Sequence, residues 1–187
     1  MEFLDNKIVV KRELSDLDIF TIDFIRLLRK HSKYVIVSGY VSILLGRSRS
    51  SEDVDIIIPK MESIIFQKFL SELSAAGFYC LNAETTIYDY LNNGFAVRFA
   101  RVNNVIPNIE LKFAKNQFDE ISLSKNIVVA LNQDELVISN LELQIVFKEK
   151  VLCSEKDIED ARHIRNIAKA HLNSDMIKKY EVMLHGL

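Results

Sequence analysis

The sequence predicts an α/β (α+β) protein, with a small mixed β-sheet, helices packed against it and a helical C-terminal segment. Apolar, β-branched runs of strand length alternate with segments of helical periodicity in most of the chain, and three helical patterns follow. The 187 residues are 49% hydrophobic and 27% charged, with five glycines and two prolines. This composition is typical of one globular domain with short loops. We therefore expect one domain over residues 1–187, with a core of about 15–135 and a helical segment of about 140–187.

The first long element is a predicted helix over residues 15–31. Ser15 can cap its N-terminus, apolar residues recur at helical spacing, and Arg29, Lys30 and His31 close it where the helix dipole favours cations. Strands are predicted at 34–38, 54–59, 78–82, 96–102 and 108–114, and extended segments at 126–132 and 135–139. Further helices are predicted at 40–46, 61–76, 84–92, 140–152, 155–172 and 175–184. Gly46, Gly77 and Pro59 mark the ends of three of these elements.

Composition and residue spacing exclude several classes of function. No run reaches the roughly 20 apolar residues of a membrane helix, and the N-terminus lacks the pattern of a secretory signal. Cys80 and Cys153 lie far apart, which favours reduced thiols in a cytoplasmic protein. The four histidines lack zinc-binding spacing, and the net charge of −2 does not indicate a polyanionic partner. We expect a protein that does not bind a membrane.

Two aspartates interrupt a predicted buried strand. Asp53 and Asp55 project from the same side of the strand because side chains alternate, while Val54 and Ile56 enter the core. Such close like charges need either water at a strand end or a cation between them. Magnesium, which binds one or two carboxylates together with phosphate oxygens and water, is the natural cation.

A small-residue turn precedes the two aspartates. Ser38 and Gly39 end the preceding strand, and a glycine at a strand-to-helix turn lets backbone N–H groups approach a phosphate. Arg47 and Arg49 lie in the following loop, where they either neutralise phosphate charge or remain solvated.

Val37, Ser38 and Gly39, followed after a 13-residue spacer by Asp53-Val54-Asp55, resemble the signature of the nucleotidyltransferase superfamily with the polymerase-β-like fold. The resemblance implies a nucleoside triphosphate (NTP) as substrate and Mg²⁺ or Mn²⁺ as cofactor, with both aspartates as catalytic metal ligands. Ser38 departs from the glycine that the family usually has at this position.

The resemblance also implies a third carboxylate on a later strand. Glu110 is the best candidate for this catalytic and metal-binding role, because it lies between apolar neighbours on the predicted strand 108–114. Strand alternation should place it on the face of the two aspartates if the two strands are adjacent. Lys112 shares the face of Glu110, and an exposed Glu–Lys pair is the alternative interpretation.

The C-terminal third is similar to the helical tail of uncharacterised archaeal and bacterial nucleotidyltransferases related to the abortive-infection (AbiE-type) toxin class. In that group a lysine-bearing helix precedes a K-D-x-x-D-A helix. The matching positions here are Lys148 or Lys150, followed by Lys156, Asp157 and Asp160. The two acids are also explained as ordinary helix-start residues.

The sequence thus predicts a metal-dependent nucleotidyltransferase with an unidentified acceptor. Beside the carboxylates, the residues expected to bind the nucleotide are Ser38, Gly39, Arg47, Arg49, Lys112 and Lys150. The acceptor is a small molecule, an RNA or a protein, and the last two correspond to a toxin-type enzyme. A homodimer and an antitoxin partner both remain open, as does a nucleotide-binding module without catalysis.

Overall fold

A computed structural model of the chain describes residues 1–82 and 87–185. The described strands are β1 Glu2–Leu4, β2 Lys7–Val10, β3 Val35–Val37, β4 Asp53–Ile58, β5 Phe78–Cys80, β6 Val97–Arg101, β7 Asn108–Phe113, β8 Asn126–Leu131 and β9 Asp134–Ser139. The described helices are α1 Asp16–Leu28, α2 Gly39–Leu44, α3 Ser63–Ala75, α4 Ile87–Asn92, α5 Gln117–Ser124, α6 Leu141–Phe147, α7 Glu155–Ile167 and α8 Ser174–His185. A π-helical turn, Lys148–Leu152, follows α6 directly. The predicted α/β class is confirmed, and residues 84–86 of the predicted helix 84–92 lie outside the described residues.

The nine described strands form one mixed sheet in the order β1-β2-β8-β9-β3-β4-β7-β6-β5. The pairs β2–β8, β3–β9 and β4–β7 are parallel, and the other neighbours are antiparallel. The sheet is larger than the small one that the sequence predicts. The N-terminal hairpin of β1 and β2 was not predicted, because strands of three and four residues are too short to display a period of two.

Helix α5 was also absent from the prediction. Its sequence, QFDEISLS, has few apolar residues, so helical periodicity gives little signal. The helix begins instead with a local cap, since the Asn116 side chain accepts hydrogen bonds from the backbone N–H groups of Phe118 and Asp119. It packs beside β4 and β9 and helps to cover the polar face of the sheet.

The core lies against one face of the central strands. Val54 and Ile56 of β4 and Ile109 and Leu111 of β7 are fully buried, as the alternation predicts. On this side an aromatic cluster fills the space between the sheet and helices α1 and α3; it consists of Phe24, Phe69, Phe78 and Phe99. Burial of these side chains fixes which residues of β4 and β7 face the opposite side.

The C-terminal helices pack on one another and on the start of the motif region. Helix α6 contacts α7 and α8, and α7 contacts α2. Helix α7 begins at the Ser154 cap, which accepts a hydrogen bond from the Asp157 backbone N–H. None of the helices in the described part of the chain has the length and apolar character needed to span a bilayer.

Candidate functional site

The three predicted carboxylates come together on two adjacent parallel strands. In the register of β4 and β7, Asp53 pairs with Asn108 and Asp55 pairs with Glu110. Paired residues on neighbouring strands project to the same face, so Glu110 stands beside Asp55. The predicted register is confirmed, and the residues on either side of Glu110 are buried in the core.

Asp55 has the most perturbed electrostatic environment of the three. Burial, together with the negative charges of Glu110 and Asp53, raises its pKa to about 6. A hydrogen bond with the Ser38 side chain and the positive charge of Lys112 act in the opposite direction but do not compensate. An ionised Asp55 is therefore costly in the folded protein.

Replacing Asp55 by asparagine should stabilise the metal-free protein by about 1 to 2 kcal/mol at pH 7.5, because it removes an ionised, buried and repelled carboxylate. The pKa is higher in the folded state, so wild-type stability should fall as pH rises from 3.8 to about 6. The gain in Asp55→Asn should accordingly be absent near pH 4 and complete above pH 6. Urea denaturation in EDTA at several pH values measures it, with the exposed Glu52→Gln as control. A variant several kcal/mol less stable than wild type would identify Asp55 as a structural hydrogen-bond acceptor.

The predicted small-residue turn has an unusual backbone. Ser38 has φ 64° and ψ −137°, a conformation that glycine adopts without strain and other residues rarely occupy. Its backbone N–H donates to Gln144 Oε1 at 3.1 Å, which ties the turn to helix α6. A Cβ added to Gly39 would lie 3.0 Å from Arg49 Nη2, so the guanidinium of Arg49 packs directly on this glycine. The turn retains a glycine-like shape although serine replaces the first glycine.

Replacing Ser38 by glycine should raise the free energy of unfolding by about 1 kcal/mol. Relief of a strained φ is worth about 1 to 3 kcal/mol, and the greater freedom of glycine in the unfolded chain offsets part of it. Thermal unfolding of Ser38→Gly checks this, with Ser48→Gly in the exposed loop as the matched control. A Ser38→Gly protein that melts at or below the wild-type temperature would contradict the strain at this turn.

A cavity of about 180 Å³ opens beside Asp55 on the polar face of the sheet. Its polar walls include Ser38, Lys112 and Lys148, and its apolar walls come from α5, α6 and the π-helical turn. The residues that line it are Val37, Ser38, Asp55, Ile57, Lys112, Phe118, Asp119, Ser122, Leu143, Gln144, Phe147, Lys148 and Leu152. Two lysines thus face the same space as Asp55, and Lys112 also lies 3.7 Å from Asp119.

The two predicted loop arginines are held by an aspartate of helix α7. The fully buried Asp160 accepts hydrogen bonds from Arg47, from Arg49 Nη1 at 2.7 Å and from Lys148 Nζ at 2.8 Å. Lys148 also lies 3.8 Å from Asp157. This cluster orders the loop between the glycine turn and the aspartate strand, and its three cations exceed its two carboxylates.

Lys150 lies apart from the predicted nucleotide-binding residues. It is exposed, pairs with Glu181 at 3.5 Å and lines a separate apolar groove with Val151 and Leu184. Lys148, the other lysine of the predicted helix, has a fully buried side chain and lines the cavity beside Asp55. The structure therefore places Ser38, Lys112 and Asp55 around one cavity, and Glu110 stands beside Asp55 on the neighbouring strand. Arg49 packs on Gly39, Arg47 and Arg49 line a second pocket with Asp53, and Lys150 lies outside both.

Arg98 and Gln144 contact site residues and were not predicted from the sequence. Arg98 lies opposite Glu110 across the antiparallel pair β6–β7, and its Nε and Nη2 donate to Glu110 Oε2 at 3.1 and 2.8 Å. The sequence does contain a signal for Arg98. In a hairpin centred on Asn104, the residues six positions before and six positions after it, Arg98 and Glu110, lie opposite each other. Gln144 gives no comparable signal, because a polar residue in a helical pattern has many explanations.

The carboxylates fit one divalent cation better than two. Asp53 accepts a hydrogen bond from the Ser51 hydroxyl at 3.2 Å, and neither Asp53 nor Asp55 forms an ion pair with another described residue. Two such carboxylates suit Mg²⁺ or Mn²⁺. Glu110, in contrast, is already paired with Arg98, and among residues 1–82 and 87–185 no group of three or more histidine, cysteine, aspartate or glutamate side chains is arranged as a metal centre.

Comparison with solved structures identifies proteins of the same architecture. An antigenic nucleotidyltransferase-like protein from Paracoccidioides brasiliensis superposes with a TM-score of 0.54 at 14% identity, covering 89% of this chain and 85% of that one. The lincosamide antibiotic adenylyltransferase LnuA, bound to lincomycin, gives 0.55 at 13% identity, over 83% and 99%. The antibiotic-resistance factor ANT(2'')-Ia gives 0.54 at 13% identity, over 90% and 93%.

The fold is that of nucleotidyltransferase-like proteins. These identities are low, so the similarity concerns the fold alone. No protein-family model and no curated protein sequence matches this chain.

Proposed function

We propose that this protein is a metal-dependent nucleotidyltransferase, which moves a nucleoside monophosphate from an NTP to an acceptor hydroxyl or phosphate. One observation carries the proposal. Asp53, Asp55 and Glu110 share one face of adjacent strands, beside a glycine-like turn at Ser38 and Gly39. The sequence motif and the fold of nucleotidyltransferase-like proteins support the same chemistry independently.

Asp53 and Asp55 would hold the Mg²⁺ or Mn²⁺ ion. When bound, the ion would neutralise triphosphate charge and lower the pKa of the attacking group. The two aspartates suit this role because Asp55 is buried beside the negative charges of Asp53 and Glu110, and neither aspartate forms an ion pair with another described residue. Their fixed positions on a buried strand would keep the bound ion in one place relative to the strand.

The reaction needs one nucleophile, one leaving group and one proton acceptor. The acceptor oxygen attacks the α-phosphorus, the bond from that phosphorus to the bridging oxygen breaks, and pyrophosphate leaves with the electron pair. The proton of an attacking hydroxyl passes to a base, for which Glu110 is the candidate, because it stands beside Asp55 on the neighbouring strand. Its Oε1 accepts no bond from Arg98.

Cations around the cavity would bind the phosphates. Lys112 and Lys148 line the cavity beside Asp55, and Arg49 packs on the glycine turn. Positive charge at these positions would stabilise the charge that develops on the leaving pyrophosphate. We assign Lys148, rather than the Lys150 that the sequence indicated, to the phosphate site, because Lys148 lines the cavity beside Asp55. It would act there through its charge while its Nζ stays bonded to Asp160.

The acceptor is left open among three classes. A small molecule is one, as for the lincosamide adenylyltransferase LnuA, whose name also supports ATP as the first donor to test. RNA and protein acceptors correspond to the toxin-type reading, in which an antitoxin partner or a homodimer would be found in the cytoplasm. The acceptor must reach the face that carries Asp53 and Asp55.

Label transfer tests the proposed activity. Purified protein is incubated with each α-³²P-labelled NTP, Mg²⁺ or Mn²⁺, and total RNA, cell lysate or a small-molecule extract. We expect a labelled product and released pyrophosphate with wild type and with the exposed control Glu52→Gln. Neither should form with the Asp53→Asn, Asp55→Asn double variant.

A nucleotide-binding module without catalysis is the second candidate. The ion pair between Arg98 and Glu110 favours it, because that pair occupies the third carboxylate. The two candidates differ in one measurable respect. Metal-dependent NTP binding without labelled product, for every acceptor class, would favour the binding module.

A further inference from the structure

A row of three side chains crosses strands β4, β7 and β6 on the polar face of the sheet. Asp55 pairs with Glu110 in the parallel register, and Glu110 pairs with Arg98 in the antiparallel register. The residues therefore stand side by side in the order carboxylate, carboxylate, guanidinium. The strand pairing fixes the order, so it does not depend on a mobile loop.

Arg98 makes a specific contact with this row. Both Nε and Nη2 donate to a single oxygen of Glu110, at 3.1 and 2.8 Å. Asp53 and Asp55 also act on the guanidinium, since the pKa of Arg98 is raised first by its hydrogen bond and charge interaction with Glu110 and then by these two aspartates. Arg98 is thus the counter-ion of all three carboxylates.

Charge and ligand number then decide how many metal ions the site can accept. The three carboxylates carry three negative charges and Arg98 carries one positive charge, while the charge of Lys112 on the same face is balanced by Asp119 at 3.7 Å. Two negative charges are left for a cation to neutralise. One divalent ion on Asp53 and Asp55 completes that neutralisation. A second ion would need Glu110 as its ligand. The positive charge of the Arg98 guanidinium, which is bonded to the same carboxylate, would repel it.

We propose that Arg98 takes the place of a second divalent cation at Glu110, so that this chain binds one Mg²⁺ or Mn²⁺ ion, through Asp53 and Asp55. The inference rests on the proposed function and makes it more specific. Arg98 is a positioning residue: it holds Glu110 away from metal coordination while supplying positive charge to the carboxylate face. Glu110 then remains available as the proton acceptor.

Counting bound Mn²⁺ tests this inference without an activity measurement. Electron paramagnetic resonance of free Mn²⁺ during a titration gives the number of ions bound per chain. We expect one ion for wild type and for Glu110→Gln, because Glu110 is not a ligand while Arg98 holds it. Arg98→Gln should bind two ions, with the first bound about threefold to tenfold more tightly because one nearby positive charge is gone.

A double variant and a matched control make the outcome specific. Adding Glu110→Gln to Arg98→Gln should abolish the second ion, since its ligand is lost. Arg101→Gln removes an arginine from the same strand that pairs with Asp23 instead, and it should bind one ion as wild type does. Arg98 is 54% exposed, so its replacement should leave the fold intact, which thermal unfolding verifies.

The failure of this inference is distinct from the failure of the proposed function. Two ions bound by wild type, with one lost in Glu110→Gln, would overturn the role of Arg98 and leave a two-ion transferase. No ion bound by wild type or by Arg98→Gln would overturn both the inference and the metal dependence of the proposed function. One ion in every variant, including Arg98→Gln, would overturn the inference alone.

Discussion

Replacing Asp53 and Asp55 together by asparagine is expected to lower nucleotidyl transfer by at least about 1,000-fold, because the metal would lose both of its carboxylate ligands. The loss should appear in single-turnover transfer of labelled nucleotide. The fold should survive, since neither aspartate forms an ion pair with another described residue and burial makes ionised Asp55 costly.

Two comparisons make the result specific to the site. Glu52→Gln removes a carboxylate just before the same strand, where it is exposed, and should retain wild-type activity. Thermal unfolding of the double variant should give a melting temperature equal to or above that of wild type. Residual transfer above about one tenth of wild type would place the chemistry at other residues.

Replacing Asp160 by alanine is expected to lower the free energy of unfolding by about 3 to 5 kcal/mol, because it leaves a buried lysine without its partner. Lys148 has no exposed side-chain surface, and its Nζ lies 2.8 Å from Asp160 but 3.8 Å from Asp157. Arg47 and Arg49 are partly exposed and can turn towards water. The loss should therefore come mainly from Lys148, and urea denaturation measures it.

Glu159→Ala is the matched control for the Asp160 prediction. Glu159 lies on the same helix and pairs with Arg162, but both side chains are exposed, so its removal should change stability by at most about 0.5 kcal/mol. A rescue variant adds a second check: Lys148→Met with Asp160→Leu should recover much of the loss, because both charges leave the buried site. An Asp160→Ala protein within about 1 kcal/mol of wild type would contradict the role of the buried pair.

The sequence predicts most of the central fold and the carboxylates, because both follow from a period of two. The run from Asp53 to Ile56 and the run from Ile109 to Phe113 alternate between polar and apolar residues, so the faces of Asp55 and Glu110 could be assigned before the strand order was known. Burying charged Glu110 in the core would be costly, which excluded the opposite register. These local signals are strong because one face of each strand is fully buried.

Long-range ion pairs could not be predicted in the same way. Asp160 is separated from Arg49 by 111 positions, and no local pattern indicates which charges meet across such a distance. Which lysine belongs to the site, Lys148 or Lys150, likewise depends on which of them pairs with Asp160. A lysine is rarely buried without a partner. Without the contact between Lys148 and Asp160, the sequence gives no reason to bury Lys148 rather than Lys150.

The size of the sheet could not be predicted either. Strands β1 and β2 are short, and they join the sheet through the pairing of β2 with β8, which lies more than 100 residues further along the chain. Tertiary contacts, rather than a pattern in their own sequence, determine that such short strands form.

The most direct test of the central claim is calorimetry of nucleotide binding with and without metal. Non-hydrolysable α,β-methylene analogues of the four NTPs are titrated into wild-type protein in Mg²⁺ and in EDTA. If Asp53 and Asp55 bind the triphosphate only through a cation, at least one analogue should bind in Mg²⁺ and lose about 100-fold or more in affinity in EDTA. The Asp53→Ala, Asp55→Ala variant should bind weakly in both conditions. Equal affinity of wild type in Mg²⁺ and EDTA would contradict the metal site at these two aspartates.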